Sequence, residues 1–117
     1  MKLRFYYKKT CSTCRKAKKF LEEKGADLEL VNLDDKLSAE QLEALIGERD
    51  YRKFLNPRNA LYRERNMKDE KPPRAEAIAL MAEHPNLIKR PLTVLGDEIA
   101  LGYDADKMEE LAQKAAE

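Results

Sequence analysis

Cysteine and histidine are scarce in this chain: two cysteines and a single histidine among 117 residues. That scarcity excludes a disulfide-stapled scaffold. It also leaves an intramolecular zinc site short of its four ligands, because the one histidine, His84, lies far along the chain from both cysteines. An excess of charge of one sign is missing too, since 23 basic residues face 22 acidic ones. Net charge therefore gives no reason to expect direct nucleic-acid binding or attraction to an anionic membrane. No apolar run approaches the roughly 20 residues that span a bilayer, and Met1-Lys2-Leu3-Arg4 does not open a signal-peptide apolar stretch. The expectation is a cytoplasmic, monomeric chain. Repeats and low-complexity segments are absent as well, and the length suits one domain, residues 1–117, with a real core.

The two cysteines form one motif, Cys11-Ser12-Thr13-Cys14, at the end of an apolar run, Leu3-Arg4-Phe5-Tyr6-Tyr7. In a reducing cytosol such a pair points to redox or metal chemistry rather than to a staple. The first cysteine opens a predicted helix, where unpaired N–H groups and the positive end of the dipole favour its thiolate. Lys8, Lys9 and Arg15 add positive charge. Cys14 falls one turn on, on an apolar face with Ala17 and Leu21, so burial should keep it a thiol until a mixed disulfide forms at Cys11. Cys11 is thus the expected nucleophile and Cys14 the resolving thiol. Two unreactive core cysteines are the bland alternative, which the position at a helix opening disfavours.

The pattern along the chain predicts a strand at 2–7, a helix at 11–24 stopped by Gly25, and a strand beginning at Leu28. Arg4 interrupts the buried pattern of the first strand. Ser38 to Gln41 fits a capping box before Leu42, Leu45 and Ile46. Asp50 to Lys71 reads as two short helical pieces broken near Asn56-Pro57. Pro72-Pro73 starts another helix, with Ile78, Met81 and Ala82 as its apolar face, and Pro85 ends it. No strand is convincing between 35 and 86. Leu92–Leu95, a Gly96-Asp97 turn and Ile99–Leu101 predict a hairpin. A closing helix follows from Asp104, with Met108, Leu111, Ala112 and Ala115 on one side. The order β-α-β … β-β-α is an α/β, thioredoxin-like layout split by a helical insert at approximately 35–86.

Two further stretches carry candidate residues. Arg90 precedes Pro91 at the start of the hairpin, and its bland reading is a solvated member of the Lys89-Arg90 pair. Arg58 lies near the helix break in Asn56-Pro57-Arg58-Asn59, with nothing local to set it apart from the other basic residues. His84, just before Pro85, suits a helix end better than catalysis.

These residues resemble the arsenate reductase family of thioredoxin-fold proteins, which includes Spx-type regulators and small uncharacterised reductases. The likeness rests on Tyr6-Tyr7 followed by Thr10-Cys11-Ser12-Thr13-Cys14-Arg15-Lys16-Ala17, on Phe54-Leu55-Asn56-Pro57-Arg58, on His84-Pro85-Asn86-Leu87-Ile88-Lys89-Arg90-Pro91-Leu92, and on Gly102-Tyr103. It implies a glutaredoxin-like site in which Cys11 attacks arsenate or a disulfide. Cys14 or glutathione would resolve the adduct, with Arg90 stabilising the thiolate or oxyanion. Pro91 would be a cis-proline against the active cysteine, and Thr10, Arg58, Arg90 and Pro91 would line the substrate site. No metal or bound cofactor is implied; glutathione, glutaredoxin or thioredoxin would supply electrons. The chain departs from the family pattern in two ways. It has no arginine from Pro91 onward, where a third family arginine lies, and it carries the second cysteine that glutathione-dependent arsenate reductases usually lack. The resemblance leaves two functions open: a thiol oxidoreductase, or a redox-sensing regulator switched by a Cys11–Cys14 disulfide and bound to a protein partner.

Overall fold

Strand β1 (Leu3–Tyr7) has a hydrogen-bonded neighbour on both sides, and the rest of its sheet is arranged around it. The computed structural model describes residues 1–117. Helix α1 (Ser12–Glu23) follows β1 and returns the chain to β2 (Leu28–Asn32), which pairs parallel to β1. Much later, β3 (Leu92–Leu95) pairs antiparallel with the other edge of β1, and β4 (Glu98–Leu101) pairs antiparallel with β3. The sheet order is β2-β1-β3-β4. Helix α5 (Ala105–Ala116) closes the chain. This β-α-β, β-β-α arrangement is the thioredoxin-like fold.

Contacts divide the chain into two compact units, Met1–Leu33 with Arg90–Glu117, and Asp34–Lys89. In the first unit alternation along the strand decides what is buried. Leu3 and Phe5 are fully buried in a core with Ala17 and Leu21 of α1, Leu95 and Ala100 of the hairpin, and Met108, Leu111, Ala112 and Ala115 of α5. Arg4 points to the other face, opposite Glu29 in register and 3.6 Å from its carboxylate. That register explains why a charged residue interrupts the run without spoiling the core. The apolar positions predicted for α1 and α5 are those the structure buries.

Helix α1 ends where Gly25 takes a φ of +80°. The N–H of Gly25 reaches Glu22 O at 3.0 Å and that of Ala26 reaches Leu21 O at 3.0 Å, two bonds that satisfy the last carbonyls in a Schellman arrangement. Ala26 then packs against the core, so the stop also fixes the entry to β2.

The second unit is built from short helices. In α2 (Ala39–Ile46) the capping box is complete, with Gln41 N–H donating to Ser38 Oγ at 3.1 Å and Ser38 N–H to Gln41 Oε1 at 2.9 Å. A 3-10 turn at Tyr51–Phe54 and helix α3 (Ala60–Glu64) flank Asn56-Pro57. Helix α4 (Arg74–Glu83) starts after Pro73 and packs on α2, where the Arg74 guanidinium bonds the Glu43 carboxylate and the Gly47 carbonyl at 2.7 and 2.8 Å. A second 3-10 turn, Pro85–Leu87, follows. A single antiparallel bridge, Leu55 with Ile88, is the one β feature in this unit. Asn56 N–H to Leu87 O and Lys89 N–H to Phe54 O, both 2.7 Å, make that bridge.

Candidate active site

The chain leaves β1 through a turn closed by the Cys11 N–H donating to Lys8 O at 3.1 Å. This places Cys11 in extended geometry (φ −88°, ψ 112°) as the N-cap of α1. It stands one residue outside the helix that the sequence pattern starts at residue 11. Its sulfur accepts the backbone N–H of Cys14 at 3.2 Å, the task a serine or aspartate oxygen performs at other helix starts. A thiolate is the better acceptor for an orphan N–H, so capping and ionisation favour one another. The first turn of α1 holds no acidic residue to offset that preference. Arg15 uses its guanidinium to bond the Lys9 carbonyl at 3.2 Å, which fastens the turn to the helix.

Arg90 comes to the same sulfur from the opposite end of the sequence. The Arg90–Pro91 peptide is cis, as the resemblance implies, and Pro91 is buried. Its carbonyl accepts the Gly102 N–H at 2.8 Å, tying the start of β3 to the end of β4. Thr10 is exposed in the turn before Cys11.

The two sulfurs are driven apart in acidity. Partial burial works against a charge on Cys11. It is outweighed by hydrogen bonds from the Cys14 thiol and the Cys14 N–H and by the Arg90 guanidinium, so the Cys11 thiol is held below its ordinary value. Cys14, 2 % exposed, is pushed up to about 12, first by burial and then by the hydrogen bond it donates to Cys11 and the negative charge there. A backbone hydrogen bond from Lys8 and the charge of Arg90 offset this only in part. Both sulfurs are free thiols in the structure. The arrangement can therefore present one accessible thiolate with a protonated thiol held against it.

Cys11, Cys14, Arg90 and Pro91 belong to one compact unit, and Thr10 adjoins them in the chain. Arg58 belongs to the other. It is exposed; its N–H bonds Asn56 Oδ1 at 3.1 Å and its carbonyl accepts from Arg63 at 3.1 Å. His84 is the exposed C-cap of α4, where its main-chain N–H bonds Leu80 O at 2.8 Å. Sequence reasoning missed the main-chain groups, namely the Lys8 backbone at Cys14 and the Gly102 N–H at Pro91. Backbone donors leave no residue-type signal. No group of three or more His, Cys, Asp or Glu side chains is placed to hold a metal ion. No helix is long and apolar enough to cross a membrane.

Comparison with known proteins identifies the family. Residues 6–111 match the family model described as ArsC family. The uncharacterized protein YusI of Bacillus subtilis is 39% identical over 115 residues, which cover 94% of this chain and 98% of that protein. The global transcriptional regulator Spx of Enterococcus faecalis is 25% identical over 109 residues, 91% of this chain and 83% of the regulator. The solved structure of an arsenate reductase from Vibrio cholerae superposes with a TM-score of 0.82 at 28% identity, over 95% of this chain and 98% of that one. The chain belongs to the ArsC family.

Proposed function

We propose that this protein is a glutaredoxin-like thiol oxidoreductase in which Cys11 is the nucleophile and Cys14 the resolving thiol. One observation carries the reading: the Cys11 sulfur caps α1, accepting the Cys14 N–H at 3.2 Å, while the Cys14 side chain itself is buried.

With a disulfide substrate, the Cys11 thiolate attacks one sulfur and the substrate S–S bond breaks. The leaving thiolate takes the electron pair and then a proton from water. Negative charge has now gone from Cys11, which removes one of the influences that kept Cys14 protonated. Cys14 gives up its proton and attacks Cys11, forming the Cys11–Cys14 disulfide and releasing the second substrate thiolate. The substrate gains two electrons and two protons; the protein gives both electrons and the Cys14 proton, and water gives the other proton. A thiol donor of the glutathione, glutaredoxin or thioredoxin class restores the dithiol. Arsenate would enter by the same attack. Water is lost as the Cys11 sulfur bonds arsenic, and a second thiol, from Cys14 or glutathione, then takes the protein sulfur as a disulfide and releases arsenite. Arg90, with its fixed fork of donors, suits either the thiolate or the oxyanion. Thr10 and Pro91, in the same compact unit as Cys11, are the further candidates for substrate contact.

The deciding experiment supplies arsenate and, separately, a glutathione mixed disulfide, with glutathione–glutaredoxin and with thioredoxin as donors. Turnover that disappears in Cys11→Ser supports the reductase. Turnover of the disulfide alone identifies a general thiol reductase, in keeping with the lack of any arginine after Arg90.

A second reading has a specific observation behind it, the Spx relative that covers most of the chain. In it the Cys11–Cys14 disulfide is a switch, and the charged unit Asp34–Lys89 is the surface that meets a protein partner. Partner capture that depends on redox state, without turnover of either substrate, would favour it.

A further inference from the structure

The charge of this chain is balanced overall but not along its length. Residues 1–21 hold eight cations, Lys2, Arg4, Lys8, Lys9, Arg15, Lys16, Lys18 and Lys19, and not one carboxylate. All the acidic residues come later. The unbalanced stretch is the one that builds β1, the turn into Cys11 and the first three turns of α1.

Within this stretch Arg4 is neutralised by Glu29, on β2. The cations that follow Cys11 are differently placed. Arg15 bonds a backbone carbonyl rather than a carboxylate. Lys16 lies 5.9 Å from the ring centroid of Tyr103, which is 43 % exposed and packed edge-on against Phe20 at 6.0 Å. Lys9, Lys16 and Lys19 are exposed, and Lys18 is half-buried. The nearest carboxylate to Tyr103 in the chain is Asp104, which is engaged as the N-cap of α5, accepting the Lys107 N–H at 3.1 Å. The exposed Tyr103 ring under Lys16, together with the exposed cations of the turn and of α1, offers more than a small disulfide needs. Together they have the composition of a protein-binding surface whose partner is acidic.

We infer that the disulfide Cys11 attacks is carried by a protein, in a segment whose cysteine is flanked by acidic residues, which Lys9, Arg15, Lys16 and Lys19 steer onto the thiolate. This rests on the thiol–disulfide reading above and adds the class of substrate. The remainder of the chain opposes polyanion binding in general, because after residue 21 fifteen cations face 22 acids. The attraction is local to the site. The chemical step is the exchange already described, so a fully reduced protein needs no further reactant for one turnover.

The test uses pre-reduced protein and disulfide-linked dimers of short peptides, each with one cysteine flanked on both sides by glutamates, glutamines or lysines. Rates are followed by stopped flow and divided by the rate of mercaptoethanol with the same dimer, which removes intrinsic differences between the disulfides. At about 10 mM ionic strength the glutamate dimer should react on the order of tenfold faster than the glutamine dimer, and the lysine dimer more slowly than both. At about 0.5 M salt the three should converge, because the screening length there falls to roughly 4 Å. The double substitution Lys16→Glu with Lys19→Glu should abolish or reverse the preference.

Equal rates for the glutamate and glutamine dimers at low salt would overturn the inference and leave the reductase standing. Failure of all three dimers to react would overturn both. If the protein shows no peptide preference but retards a 20-base-pair duplex in a way the double substitution abolishes, the surface belongs to nucleic acid and the inference falls.

Discussion

Cys11 caps the helix that carries Cys14: the N–H of the second cysteine points at the sulfur of the first, 3.2 Å away. The cap of the helix and the proposed nucleophile are thus the same atom. A change in the charge of that sulfur alters the local fold, and a change in the local fold alters its charge. Four expectations follow from this and from neighbouring features.

The pH profile of alkylation should show one thiol reacting below the ordinary cysteine range, at Cys11, with Cys14 silent through neutrality. Cys11→Ser should remove the fast phase. Arg90→Met should move it to higher pH and slow labelling at pH 7 by roughly three- to tenfold, the size expected for losing one charge-assisted hydrogen bond partly replaced by water. Iodoacetamide labelling followed by mass spectrometry measures both. An unmoved profile in Arg90→Met would return that residue to the solvated surface.

The stability of the reduced protein should depend on pH through Cys14. Its folded pKa is raised, so its contribution is complete below the unfolded value near 8.5 and is lost as pH rises toward about 12. Cys11 has the opposite sign. Its folded pKa is lowered, so its contribution is present above the unfolded value and fades as pH falls through the folded one. Urea midpoints measured with a phosphine reductant from pH 7 to 10 should fall more steeply for the native chain than for Cys14→Ala.

Thr93, on β3 between Phe5 and Ala100, is fully buried and its hydroxyl oxygen has no hydrogen-bond partner. Replacing it with the near-isosteric valine removes a desolvated polar group without opening a cavity. Thr93→Val should stabilise the chain by about 1 kcal/mol, read as a rise in Tm. A loss of stability would reveal a partner for that hydroxyl in solution.

Ser38→Ala breaks the capping box of α2 and should cost about 1 kcal/mol. Ser38→Asp should recover most of it, since aspartate also accepts from the third N–H. Chemical denaturation of the three proteins tests the order.

Much of this was written in local patterns. The face Cys14–Ala17–Leu21, the stop at Gly25, the capping box and the apolar side of α5 are each set by neighbours within a turn or two, and periodicity exposes them. What escaped depends on long separations or on main chain. The bridge of Leu55 with Ile88 uses one pair of backbone groups, too short to impose alternation on either segment. The influence of the Arg90 guanidinium on Cys11 joins residues far apart in the sequence. Only the resemblance pointed to it, because a basic residue beside a lysine has a solvated role by default. Arg58 shows the limit from the other side: the motif around it is accounted for by Asn56, whose side chain holds the Arg58 N–H, so the local pattern speaks for a turn before it speaks for a guanidinium.

The central place of β1 has a mechanical consequence. A strand hydrogen-bonded along both edges opens to solvent exchange only when the surrounding unit comes apart, so the amides of Leu3–Tyr7 should be among the last to take up deuterium. The proposed nucleophile, Cys11, is hung from the end of this slow segment by a turn of three residues, Lys8–Thr10. In the proposed passage from dithiol to disulfide, any adjustment has to be absorbed in that turn and in the first coil of α1, with a rigid anchor immediately behind them.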